Sequence, residues 1–281
     1  MKKTKIIIPA LGMLLLSTAA SISGTVAWFS MNATVSASGM KVKAKAQGGL
    51  VIANATTGTY NASADSVKTT CAELFPASTY NLSTWLTSVS TNPSAANTQQ
   101  EYTSATAWTA NGSDAHYVVH DFYIRSSSAS ALTVWSVDVK SVSAVVIDPD
   151  ETDQVVPAVK DLEKSLRVGV KFGESSNSYI YAPIAGYTAS VSVQKAAGAY
   201  SSAAADRETV AALAGDQQSR DSSQNTIPAK TVAGLHAYVY VWFEGEDANC
   251  ISNNIVSDLN SIAITVEFTT TASDPNAQQN P

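Results

Sequence analysis

Residues 116–125, HYVVHDFYIR, and 132–147, LTVWSVDVKSVSAVVI, decide the fold class. Both are rich in β-branched and aromatic residues, and the second alternates apolar with polar positions, the period-two pattern of a half-buried strand. Val134, Ser136, Asp138 and Lys140 point to one side, and Trp135, Val137, Val139 and Ser141 to the other. One face should be wet and one buried. The polar turn 126–130 between the two stretches predicts a hairpin.

Working outward, the same signal recurs. Residues 166–172 and 179–182 make another pair around 173–178, with 187–194 close behind. Residues 233–244 (AGLHAYVYVWFE) and 261–270 (SIAITVEFTT) are two strongly alternating strands. Toward the N-terminus, 35–46 (VSASGMKVKAKA) reads as a half-buried strand that 50–53 extends. Residues 199–215 are Ala-rich, with Asp206 as a cap and Gly215 as a stop, and form the best helix candidate. The stretch 56–113 is rich in Ser, Thr, Asn and Ala, with turn material at Asn92-Pro93 and Asn111-Gly112. It reads as long loops with a short helix near 80–89, held to the domain by Leu74, Phe75, Trp85 and Trp108. The expectation is all-β: one jelly-roll-like β-sandwich over residues 28–270 with long polar insertions, one or two short helices, and a disordered polar tail at 271–281. Strand and helix nowhere alternate as a nucleotide-binding α/β fold requires.

The chain has 281 residues, 45% hydrophobic and 14% charged, with 17 Lys+Arg against 23 Asp+Glu and a formal net charge of -6. That balance excludes a basic nucleic-acid-binding domain. Residues 1–27 carry Lys2, Lys3 and Lys5, then an apolar run over 6–16, then small residues ending in Thr25-Val26-Ala27. This is the layout of an export signal cut between Ala27 and Trp28. An uncleaved anchor fits less well, because the apolar run is short and broken by Pro9 and Gly12. A type IV pilin leader would retain the apolar run with a Glu a few residues in, and this chain has no such Glu. Processing removes three lysines and no acid, leaving a more acidic chain without a membrane span. The signal holds no lipid-accepting cysteine and the C-terminal end no anchor or sorting motif, so the product should be secreted or held noncovalently.

Several residue groups invite a chemical reading. His116 and His120 share a strand face but stand about 13 Å apart at ~3.3 Å per residue, too far for one metal, and the HExxH general base is missing. Asp148, Asp150, Glu151 and Asp153 form one acidic turn and Glu244, Glu246 and Asp247 a second. Clustered carboxylates can bind calcium, but without EF-hand spacing both read as solvated turns. Cys71 and Cys250, the only cysteines, are expected to form a disulfide pinning the first insertion to the turn after residue 244. There is no nucleophile elbow, phosphate-cradling glycine loop or CxxC pair, so neither catalysis nor a cofactor is expected.

Residues 24–30 (GTVAWFS), followed by Asn32-Ala33-Thr34 and by Ser38-Gly39-Met40-Lys41-Val42, resemble the processing region and first strand of the TasA/camelysin family. Residues 120–124 with the turn 126–132 resemble the family's next strand, and 261–270 its last, while the insertions 56–113 and 175–227 have no counterpart. The resemblance implies a Gram-positive cell-surface protein cut by a SipW-type signal peptidase. It further implies a jelly-roll subunit of an extracellular biofilm-matrix fibre, a homo-oligomer or one with accessory fibre subunits. Donor-strand complementation would join the subunits: the mature N-terminal segment 28–38 adds to the next subunit's sheet, with Trp28, Phe29, Met31 and Val35 as plug residues, because an open sheet edge offers unpaired backbone groups. The alternative is that these residues form the domain's own first strand. Camelysin-like members also carry a metallopeptidase reading, from which this chain departs because His116, His120 and His236 lack ligand spacing. A third reading is a carbohydrate-binding adhesin using Tyr179, Tyr181 and Tyr187.

Overall fold

The structure, a computed structural model, describes residues 35–37, 40–68, 71–90, 100–107, 109, 114–147, 161–173, 175–250 and 261–272. The described residues are nearly all β, and none lies in a helix of seven or more residues. None forms a helix long and apolar enough to cross a membrane. In chain order the strands are β1 (Val35–Ala37), β2 (Met40–Ala46), β3 (Leu50–Ala53), β4 (Ser63–Lys68), β5 (Cys71–Leu74), β6 (Ser78–Thr79) and β7 (Trp85–Ser90). Then come β8 (Gln100–Ser104), β9 (Asp114–Ala115), β10 (Val118–Ser126), β11 (Leu132–Ile147), β12 (Leu166–Phe172), β13 (Tyr179–Ala182) and β14 (Ser190–Gln194). Last are β15 (Gly198–Ala199), β16 (Arg207–Ala211), β17 (Leu213–Ala214), β18 (Ser219–Asp221), β19 (Thr226–Ile227), β20 (Leu235–Phe243) and β21 (Ser261–Ala272).

Two sheets make the sandwich. The first runs β17-β13-β12-β20-β10-β3, and the second β18-β11-β21-β2-β4 with β19 also on β11. Alternation along each strand decides what lies between them. Ala237, Val239, Val241 and Phe243 of β20 and Phe122 and Ile124 of β10 turn inward, to meet Val42 and Ala44 of β2 and Ile264, Val266 and Phe268 of β21. Phe172 and Phe268 cross the interface edge to face with centroids 5.8 Å apart. Each such Val, Ile or Phe side chain contributes about 1.5–3 kcal/mol on burial. β2 and β21 pair in parallel from Met40↔Ile262 to Ala46↔Phe268, so opposite ends of the chain close one sheet. β12 and β13 form the expected antiparallel pair.

Other expectations are corrected. β10 and β11 are not a hairpin: β10 pairs with β20 and β3, β11 with β21, β18 and β19, and the turn between them crosses from sheet to sheet. That turn is held by distant backbone, Ser126 N donating to Pro228 O at 2.8 Å and Ser127 N to Gly49 O at 2.9 Å. β3 does not extend β2. Gly48 and Gly49, at φ of 66° and 81°, turn the chain into the other sheet, a conformation glycine adopts without a Cβ clash. The helix candidate 199–215 holds only a short 3-10 turn, Ala204–Asp206, before β16, which pairs with β14. Near 80–89, Asn81 Oδ1 accepts from the backbone N of Ser83 (3.0 Å) and Thr84 (2.7 Å), a turn that competes with helix and leads into β7. The first insertion is therefore stranded, in sheets β15-β8-β7-β6 and β1-β5-β9 plus β4. Thr271 and Ala272 of the expected tail belong to β21, and 273–281 lie outside the described residues.

In β11 the register shifts between Val134 and Ser136 and between Val139 and Ser141. These irregularities, with the cover of β18, bury Ser136 and Asp138 on the side expected to be wet, and leave Trp135 56% exposed. Asp138 Oδ2 accepts from Gln218 Nε2 at 2.7 Å, and Arg220 Nε lies 3.5 Å from Oδ1.

Candidate functional site

The acidic turn after β20 is not solvated. Glu244, Glu246 and Asp247 are all buried, at 2%, 8% and 0% exposure. Glu244 accepts from Ser78 Oγ of β6 and from Trp242 Nε1 at 3.1 Å. Glu246 accepts from the Tyr102 hydroxyl of β8 at 2.9 Å and from Arg207 of β16 at 3.2 Å. Asp247 pairs with the buried Arg167 of β12 and accepts from Thr188 N (2.9 Å) and Thr188 Oγ1 (3.0 Å). A buried carboxylate is tolerable only when paired and hydrogen-bonded, and here the partners come from both insertions. This knot ties the insertions to the sandwich. Burial pushes the Glu244 carboxyl up, and pushes Glu246 up to about 7 against the pull of Arg207. Burial also opposes the charge of Asp247, but Arg167 and the Asn249 and Thr188 amides outweigh it and hold that carboxyl below its usual range. The carboxylates are thus committed to protein donors, and among the described residues no group of three or more His, Cys, Asp or Glu is placed to hold a metal. The first acidic turn, with Asp148, Asp150, Glu151 and Asp153, lies outside the described residues.

The histidines occupy three separate environments. His116 Nδ1 is 3.1 Å from Thr106 N, and its ring lies 5.6 Å from that of Phe75. His120 is in the core with Nδ1 3.0 Å from Ser66 Oγ, and burial, aided by Lys68, pushes its pKa down to about 3, so it is neutral. His236 Nε2 is 2.9 Å from Asp121 Oδ1.

Cys250 is a free, buried thiol, which corrects the expected disulfide with Cys71. It closes the acidic turn, its N donating to Asp247 O at 2.9 Å, and its side chain is packed inside the core cluster. Cys71 is described only as part of the backbone of β5.

The three tyrosines proposed for sugar binding do not form a surface. Tyr181 is fully buried and donates to Ser219 Oγ at 2.5 Å, Tyr179 donates to Arg220 O at 2.8 Å, and Tyr187 packs under the Arg167 guanidinium. The aromatic surface is elsewhere, on the outer face of the first sheet. His236, Tyr238 and Tyr240 stand on β20 opposite its inward residues, and Tyr123 of β10 is in register with His236. Tyr123 and His236 have centroids 4.6 Å apart, and His236 and Tyr238 3.8 Å. Tyr240 continues the row to Trp85, at 5.6 Å, which stacks on Tyr117 with centroids 3.9 Å apart and planes 10° from parallel. The period-two spacing of His236, Tyr238, Tyr240 and Trp242 carried this signal, but with both strand faces apolar the sequence does not say which faces out.

Val35 lies in β1, which pairs antiparallel with β5 of the same chain, Val35 opposite Leu74 and Ala37 opposite Cys71. Ala27, Trp28, Phe29 and Met31 lie outside the described residues. Comparison with protein-family models, with curated proteins and with solved structures finds no match to this chain.

Proposed function

We propose that this chain is an exported, nonenzymatic subunit of an extracellular matrix or pilus-like fibre, of the kind the TasA/camelysin resemblance implies, assembled by passing its N-terminal strand to a neighbouring copy or accessory subunit. The observation that carries the reading is the position of β1. It is a three-residue edge strand with an irregular register, on the small sheet β1-β5-β9 rather than in the sandwich. Each backbone hydrogen bond contributes a net ~1 kcal/mol, so such a pairing is weak beside the core and can be exchanged for the same pairing between copies. The low charge content favours close packing of subunits with little repulsion.

N-terminal sequencing of exported protein is expected to begin at Trp28, and electron microscopy of the purified product to show filaments that disappear on deleting residues 28–38. Protein that stays monomeric at high concentration with its partners present would overturn the reading. So would zinc-dependent peptide cleavage lost in His116→Ala or His120→Ala.

A further inference from the structure

The row of rings on the first sheet ends in a concavity. A cavity of about 310 Å³ lies between the two insertions, with Trp85 and Tyr117 among its walls, the hydroxyl residues Ser83, Thr84 and Ser104 around it, and Ala197 of the second insertion closing one side. Its volume falls at the lower end of small-ligand sites, about 300–1,000 Å³. No charged residue is among its described lining. We propose that this cavity binds one residue of a neutral carbohydrate, and that the tyrosine row beside it carries the neighbouring sugars of the same glycan.

Three observations support that chemistry. A pyranose has an apolar C–H face and a rim of hydroxyls, and the cavity lining offers both kinds of partner, aromatic carbon from Trp85 and Tyr117 and hydroxyls from Ser83, Thr84 and Ser104. The hydroxyls of Tyr60, Tyr102, Tyr179 and Tyr181 bond to the protein, whereas those of Tyr117, Tyr123, Tyr238 and Tyr240, the four tyrosines of this face, bond to no described residue. Tyrosine supplies rigid, amphipathic contact area with little conformational entropy to lose on binding. The polar side chains along the row are engaged by neighbours: Asp121 Oδ1 lies 2.9 Å from His236 Nε2, and the Arg125 guanidinium sits 3.5 Å over the Tyr60 ring. Lys171, in register with Tyr238, adds one donor at the far end from the cavity. A polyanion or a strongly basic peptide therefore finds no concentrated counter-charge here. The proposal is independent of fibre assembly, since it needs only the folded sandwich with its insertions.

Purified protein is titrated with cellohexaose, maltohexaose and N-acetylchitohexaose, following tryptophan emission and calorimetric heat. At least one is expected to bind, with an affinity insensitive to added salt. Tyr117→Ala is expected to weaken binding about tenfold or more, equivalent to ~1.4 kcal/mol, in a protein that still melts cooperatively but at a lower temperature, because the stack on Trp85 is lost. Trp85 packs against Trp242, so Trp85→Phe is the companion variant that keeps the fold while altering the ring pair. Binding by none of the three sugars, equal binding by Tyr117→Ala, or binding only of a polyanion such as polygalacturonate would overturn the proposal. Self-association of the protein abolished by Tyr117→Ala, with no sugar binding, would assign the face to a second copy instead.

Discussion

At Cys250 the thiol is enclosed beside Ser165, Glu244 and Asp247, and burial pushes its pKa far above that of an exposed cysteine. Only the thiolate is an effective nucleophile, so this thiol is inert while the fold persists. Iodoacetamide is expected to leave Cys250 unmodified in native protein and to alkylate it on unfolding, as read by peptide mass spectrometry. A peptide linked through Cys71 and Cys250 in a nonreducing digest would contradict the free thiol. The neighbouring carboxylates teach the same point. Glu244, Glu246 and Asp247 read as a solvated turn because residue type and spacing report charge, while burial depends on Arg167 and Arg207, dozens of residues away in the chain.

Among the elements, the antiparallel pair β14–β16 is tied to the end of β20 through one side chain. Arg207 reaches Ser192 Oγ within the pair at 2.9 Å and Glu246 at 3.2 Å, joining the second insertion to the end of β20. Arg207→Ala is expected to leave Glu246 buried with one partner fewer and to destabilise by about 2–4 kcal/mol. Hydrogen exchange and proteolysis should then speed up in residues 190–211 before the sandwich opens. Uniform exchange across the whole chain would show that the pair does not open separately. The strands of the sandwich were legible because their apolar residues alternate over long stretches, as in β12, β20 and β21. The helix candidate failed because alanine content signals propensity alone, and the pairing Arg207↔Gln194 to Ala211↔Ser190 overrides it.

For the whole molecule, the buried knot makes stability depend on pH. Glu246 is raised from its ordinary 4.5 to about 7, so the folded chain holds that proton more tightly than the unfolded chain. Its contribution is fully present below pH 4.5 and is lost as pH rises through about 7. Asp247, held low, acts in the opposite sense, contributing above the ordinary carboxylate range and losing that contribution as pH falls through its folded value. The melting temperature is expected to fall between pH 5 and 7.5, by an amount on the order of 1–3 kcal/mol in stability, and Glu246→Gln to flatten that fall. An identical pH profile in the variant would remove Glu246 as the source.

The sequence by itself determined that the chain is all-β, where most long sandwich strands lie, and which of their residues alternate, because period-two patterning is a local property of consecutive side chains. It also carried the order of basic, apolar and small residues at 1–27 on which the proposed export rests. Only the tertiary structure decided which strands pair and which face is covered. β10 and β11, adjacent in sequence, part to different sheets, and β2 and β21 from opposite ends of the chain lie side by side. Backbone pairing and burial are long-range interactions, set by how the whole apolar surface is removed from water. The same physics turned an acidic turn into a buried knot and left a row of tyrosines facing outward.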